Sequence, residues 1–242
     1  MGIVLPGPVD DFLSFIGISW PNVDEDKVRE FGQHVTTFGQ SLQATHADAS
    51  GTVQQLGQAY QGAGYEQLLA TWGAKSDSHM SELITGCQLV GEAMDIAADV
   101  IVGMKVAAIA ELVVLAAEFI ADQAAAVATL GLAEAALALI ELQGRQIVKF
   151  LEQELLNYVA GQVIEAAVGP LIEKVAKAIS GMVYQGVADA LGVPAGGGAA
   201  GSSVTMSPSA VLAHAQKLEQ HAVTVGGHAS QFTSVAAGMS FE

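Results

Sequence analysis

The chain has 242 residues and a mass of 24.8 kDa, enough for one large domain or for a helical domain with an appendage. Nine Lys and Arg stand against 25 Asp and Glu, a formal net charge of −16. That balance excludes nucleic acid as the main ligand, because binding a phosphate backbone depends on clustered cations. Hydrophobic residues reach 51% while aromatics are only 6%, and about one residue in six is Ala; this mixture favours helix over sheet. The mean hydropathy of +0.43 is high for a soluble protein and points to large helix interfaces or to a membrane.

Residues 1–21 read as an N-terminal arm. They are apolar, but the first positive side chain is Lys27 and Pro6, Pro8, Asp10 and Asp11 interrupt the run, so no cleavable leader is expected. Trp20-Pro21 followed by Asn22 and Glu25 predicts a helix start, with Asn22 as cap and Asp24, Glu25 and Asp26 at the positive end of the dipole. From there Val28, Phe31, Val35, Phe38, Leu42, Ala49, Val53, Leu56 and Tyr60 step mostly by threes and fours, a heptad stripe. Gly32, Gly39 and Gly51 lie inside this helix, and residues 48–51 are the expected place for a kink.

The stripe stops at residues 60–64, where Gly62 and Gly64 allow the chain to reverse. A second helix is predicted from Tyr65 through Leu69, Trp72, Met80, Leu83, Cys87, Val90, Met94, Ala97, Ile101 and Met104. Together the two form an antiparallel αα-hairpin. Between residues 106 and 143 every charge is acidic, on a background of Ala, Leu, Val and Ile, and no stretch of about 18 residues is free of charge, the usual length of a spanning helix. Glu111, Glu118 and Asp122 share one face, which leaves a wide apolar face for burial in a bundle, for a partner chain or for a bilayer. Gly131 and Gly144 are expected to bend or break the helix, and further helix is predicted over 145–158 and 162–191, interrupted at Gly169-Pro170.

Residues 192–206 are a Gly/Ala/Ser linker by composition. Residues 207–242 then form a C-terminal amphipathic helix with Ser207 as cap and Pro208 in its first turn. Its seam, Val211, Ala215, Leu218, Ala222, Val225, Ala229 and Phe232, alternates four and three and continues to Ala236 and Met239. On one helix alone this seam has nothing to bury it, so it docks on the main bundle, on another copy or on a different protein. The expected domains are therefore an arm (1–21), a helical bundle (22–191), a linker (192–206) and the C-terminal helix (207–242), an all-α architecture.

Chemistry is sparse. His214, His221 and His228 flank the seam at intervals of seven, about 10.5 Å of rise, too far apart for two of them to ligate one ion. His79-Met-Ser-Glu82 reverses the Glu-x-x-His order of di-iron bundles. Asp95 and Asp99, one turn apart, are expected to face water. Cys87 lies in an apolar stripe as a core thiol and, as the only cysteine, forms no intramolecular disulfide. No catalytic residue, metal or cofactor is expected.

The N-terminal part of the chain resembles the CpnT-like, WXG-related N-terminal domain of actinobacterial polymorphic toxins and other type VII (ESX) secretion substrates. The resemblance rests on Ile18-Ser-Trp20-Pro21, the acidic Asp24-Glu25-Asp26 with Arg29, the long helix, the turn Tyr60-Gln61-Gly62 in place of Trp-x-Gly, and Tyr65 with Trp72. It covers residues 18–191. Val204-Thr-Met-Ser-Pro208 with Leu212, His214, Ala215 and Leu218 is similar to the opening helix of short ESX-associated secreted proteins. The Tyr-x-x-x-Asp/Glu export signal is missing, since Gln162 and Ala188 follow Tyr158 and Tyr184 by four.

The resemblance implies a non-enzymatic secretion-targeting or interaction module. It would pair with a WXG-like helical-hairpin protein or with its own copies and be presented to the ESX machinery. Tyr60, Gly62, Tyr65 and Trp72 at the hairpin tip are the expected partner-binding residues, beside the C-terminal seam. Localisation would be cytoplasmic before export and secreted or envelope-associated after it. The alternative is a membrane-active or pore-forming helical assembly.

Overall fold

The computed structural model describes residues 2–73, 78–129, 134–158, 161 and 205–241. Expectations for Gly131, for the helix over 162–191 with its break at Gly169-Pro170, for Tyr184 and for most of the linker lie outside those residues. The described elements are α1 (Gly7–Phe15), α2 (Glu25–Ala59), β1 (Tyr60–Gln61), α3 (Ala63–Thr71), α4 (Ser78–Thr129), α5 (Glu134–Asn157), β2 (Thr205–Met206) and α6 (Pro208–Gly238). The fold is the predicted all-α one, apart from a two-residue antiparallel ribbon that pairs Tyr60 with Met206 and Gln61 with Thr205. The chain forms two compact units, and each is described by itself.

The first unit holds α1, the opening turns of α2, the later part of α4, α5 and the last residues of the chain. The arm is more ordered than its prolines suggest. Pro8 sits in the first turn of α1, where its missing N–H has no helical partner to lose, and Asp10 lies at the positive end of the helix. Val9, Phe12, Leu13 and Ile16 from the arm are fully buried among Leu112, Leu115, Ala116 and Phe119 of α4 and Ile140 and Val148 of α5. The Phe12 and Phe119 rings lie 5.3 Å apart and tilted, and Phe15 meets the same Phe119 at 4.7 Å.

Gly144 does not break α5, which runs unbroken through it. The reason is packing: a Cβ there would stand 2.9 Å from two ring carbons of Phe12, so the missing side chain admits the phenyl ring. Arg145, next in sequence, donates to the Ile16 carbonyl and closes the end of α1.

The helix start expected at Asn22 also moves. Asp24 is the residue that caps α2, accepting from the backbone N–H of Asp26 at 2.9 Å and of Lys27 at 3.3 Å. Glu25 is withdrawn from capping because it is buried in an ion pair with Lys105 of α4, Nζ to carboxylate 2.6 Å. The same carboxylate accepts from the backbone N–H of Ile3 at 2.6 Å, and Lys105 also donates to the Val23 carbonyl. Arg29, one turn along α2, pairs with Asp99 of α4, which gives that exposed carboxylate a partner, while Asp95 is exposed as predicted. As α2 advances from Glu25 to Arg29, its partners on α4 retreat from Lys105 to Asp99, so the two helices run antiparallel.

The second unit holds the rest of α2, α3, the first turns of α4 and α6. Here too α2 and α4 touch closely: a Cβ on Gly39 would lie 2.8 Å from the Cys87 Cβ, so glycine sets the spacing of the helices at that point. Val35, Leu42, Ala49, Val53 and Leu56 of α2 and Met80, Leu83, Cys87 and Val90 of α4 are buried, as the threes-and-fours pattern predicts. The kink expected at residues 48–51 does not end the helix, which continues through Gly51 to Ala59.

Three measurements follow from the first unit and a fourth from α6. Burial pushes the Glu25 carboxyl up, but the hydrogen bonds from Lys105 and from backbone N–H groups, with the Lys105 charge, outweigh it and hold it below its ordinary value. A depressed carboxylate stabilises the fold in full above the unfolded value and loses that contribution as pH falls through the folded one. Urea midpoints should therefore drop as pH falls below about 4.5. Glu25→Gln should lower stability near neutrality by about 3–5 kcal/mol, because it leaves Lys105 buried without a counter-charge, and should flatten the acid limb; an unchanged limb would refute the assignment. Gly144→Ala should cost about 1–3 kcal/mol by overpacking Phe12, whereas Gly227→Ala, in open space within α6, should gain up to about 1 kcal/mol.

Candidate interaction surfaces

The four tip residues come together in the second unit, at the end of α2. Gly62 caps α3 with a φ of 129°, a conformation that side-chain-bearing residues rarely adopt, which explains a glycine immediately after the ribbon. Tyr65 then folds back on α2: its hydroxyl lies 3.2 Å from the carbonyl oxygens of both Val53 and Gln54 and donates between them. Tyr60 meets Tyr65 edge to face at 6.4 Å. Trp72 follows α3, donates its indole N–H to the Ser50 hydroxyl at 3.0 Å and stacks on His46 with ring centroids 5.8 Å apart and planes 10° from parallel. All three aromatic side chains are half-buried. Tyr65 and Trp72 thus brace α3 on α2, and each presents the remainder of its ring to solvent.

The C-terminal helix packs on the chain's own α2. The helix enters from the ribbon, where the Ser207 N–H donates to the Ala59 carbonyl at 2.8 Å, and runs antiparallel to α2. Phe232 stacks on Phe38 at 4.7 Å, His228 shares a 3.1 Å hydrogen bond with the Thr45 hydroxyl, and His221 lies 3.5 Å from that of Thr52. Thr52 donates to the Asp48 carbonyl, which leaves its lone pairs to accept from His221. Val211, Leu218, Val225, Ala229 and Phe232 are half-buried, but Ala215 and Ala222 are exposed.

The packed face is therefore turned from the predicted one. Its alternate positions are His214, His221 and His228, which were expected only to flank the seam. The cause lies on α2, whose facing row at intervals of seven is Phe38, Thr45, Thr52 and Ala59: two hydroxyls give imidazoles a hydrogen-bonding partner that methyl groups would not use. The signal was present in the sequence as two matching seven-residue periods, Thr45 to Thr52 and His221 to His228.

No described group of three or more His, Cys, Asp and Glu side chains could hold a metal ion. Cys87 is buried beneath Gly39, and desolvation pushes its thiol up to about 11, so it is protonated and unreactive in the native state. What the described residues offer is a set of long helix surfaces. A family model described as a WXG100 like domain matches residues 5–145, which takes in α1, α2, the hairpin tip, α3, α4 and the first turns of α5. No curated protein and no solved structure matches the chain.

No residue of α6 is fully buried, so it should open more readily than α4, whose core positions are. Amide hydrogen exchange should be faster over 208–238 than over 80–119. Phe232→Ala removes an aromatic pair worth about 0.5–1.5 kcal/mol beyond its buried area, and should accelerate exchange in α6 and in the facing part of α2 while leaving residues 94–119 unchanged. A uniform change would mean that α6 and the core open together.

Proposed function

The chain belongs to the WXG100-like domain family, and from that premise we propose that it is a non-enzymatic helical module of a type VII (ESX) secretion substrate or toxin-associated protein. The observation that carries this reading is the extent of the family match, which runs from the arm through the whole α2–α4 hairpin. Helix pairing is the mechanism that the surfaces support, since the described residues offer long apolar helices and, among them, no group of three or more His, Cys, Asp and Glu side chains that could hold a metal ion.

In this reading Tyr60, Gly62, Tyr65 and Trp72 shape the tip that a WXG-like partner, a second copy or the export machinery meets. Helix α6, with Val211, Ala215, Leu218, Ala222, Val225, Ala229 and Phe232, supplies one helix of the assembly in cis. The module acts in the cytoplasm before export and outside the cell or in the envelope after it. Residues 22–191 are the pairing domain, and residues 192–206 are a Gly/Ala/Ser linker by composition.

The test is export of the tagged full chain in its native host, with and without the type VII membrane ATPase. Accumulation in the culture filtrate only when the ATPase is present is the expected result. Trp72→Ala should retain its helical circular dichroism yet reduce export several-fold. Export that continues undiminished without the ATPase would overturn the reading.

A further inference from the structure

Within the first unit, α4 buries one side, with Ile101, Lys105, Ala108, Leu112, Leu115, Ala116 and Phe119 all buried. At about 100° per residue the opposite side carries Gly103, Val106, Ala110, Val113, Ala117 and Ile120. Every one of these is exposed, the three β-branched larger ones between 45% and 55%. No charge interrupts this side over some 27 Å of helix. A solvent-facing helix ordinarily puts its polar residues there, so the face is built to be covered.

Charge says by what. Along one edge of the face run Glu111 and Glu118, both exposed, and no Lys or Arg occurs between Lys105 and Arg145. Lys105 itself is buried against Glu25. The edge also borders an open groove of about 370 Å³ between α4 and α5, lined by Glu111, Val114, Leu115, Gln143, Gln146 and Ile147. Such a groove accepts the aliphatic stem of a Lys or Arg along Val114 and Ile147 while its charged head reaches Glu111. A second copy of the chain would bring the same acidic row to the interface, where like charges repel. A bilayer would have to take both carboxylates into or beside its hydrocarbon.

We propose that this face of α4 docks an amphipathic helix of another protein, whose apolar seam is flanked by Lys or Arg. The proposal deepens the pairing reading by naming the face and the chemistry of the partner, and it rests on that reading. Its test uses purified protein, so its failure leaves ATPase-dependent export untouched.

The probes are two fluorescent helical peptides with an identical Leu/Ala seam, one flanked by Lys and one by Glu, titrated with the full chain and followed by anisotropy. The Lys peptide should bind about tenfold or more tightly than the Glu peptide, and should weaken as salt is raised. Val113→Glu, a substitution at a half-exposed position, should abolish binding although it makes the chain more acidic. Glu111→Lys combined with Glu118→Lys should reverse the preference between the peptides. Equal binding of both peptides, or binding of the Lys peptide that survives Val113→Glu, would overturn the proposal. So would a concentration-dependent dimer, or flotation with neutral phosphatidylcholine vesicles, that Val113→Glu eliminates.

Discussion

The buried pair of Glu25 and Lys105 sets the register on which the first unit depends. Helices made of Ala, Val and Leu meet through surfaces that repeat every few residues, so apolar packing alone distinguishes poorly between one alignment and the next turn. A buried cation is different. Lys105 is the only Lys or Arg in α4 and is 3% exposed at its side chain. A slide of one turn would leave two buried charges without partners, at about 3–5 kcal/mol for breaking such a pair. The same carboxylate takes the Ile3 N–H and the same ammonium the Val23 carbonyl, so one electrostatic centre aligns α2 with α4 and ties the incoming arm to both.

In the second unit the equivalent work is done by small side chains and by hydroxyl–imidazole pairs. Gly39 fixes the approach of α2 to α4 at Cys87. On another face of α2, Thr45 and Thr52 are buried at 8% and 6% exposure and meet His228 and His221. Each such hydrogen bond has a modest net value, about 1 kcal/mol, but a rotated α6 would leave the threonine hydroxyls facing methyl groups. Polar pairs of low energy thus decide which side of an evenly apolar helix faces inward, a choice that an Ala-lined seam does not make by itself.

This explains which parts of the molecule were legible in the sequence. The hairpin was, because the period of Met80, Leu83, Cys87, Val90, Met94, Ala97 and Ile101 survives intact as the buried face of α4. The next member of that period is Lys105, not the predicted Met104, and hydropathy cannot foresee a lysine inside a core until its carboxylate is known. The helix within the arm was not legible for a related reason: the prolines argue against a long helix but are compatible with a short one begun by Pro8, and a core of Phe12, Leu13 and Ile16 depends on α4 and α5 to exist. At Gly144 local propensity predicted a break, whereas the reason for glycine is the ring of Phe12, distant in sequence. The tip residues were singled out by resemblance, and the contacts of Tyr65 and Trp72 with Ser50, Val53 and Gln54 that brace α3 follow from no spacing rule.

The two long apolar surfaces that the sequence offered have had different fates. Helix α6 has a mate within the chain, since Phe232, His228 and His221 meet Phe38, Thr45 and Thr52 of α2. The outer side of α4 has no such mate among the described residues, and among those residues this is the one helix long and apolar enough to cross a membrane by length and composition. Its acidic residues stand at the edge of that side rather than across it, and Lys105 is spent inward on Glu25. An apolar band bordered by Glu111 and Glu118 excludes neither water nor a partner by itself, but it ranks possible partners by charge, and a chain of net charge −16 ranks itself low. The excess hydrophobicity and the excess acidity are therefore two parts of one surface: the first supplies affinity for a helix, the second selects which helix.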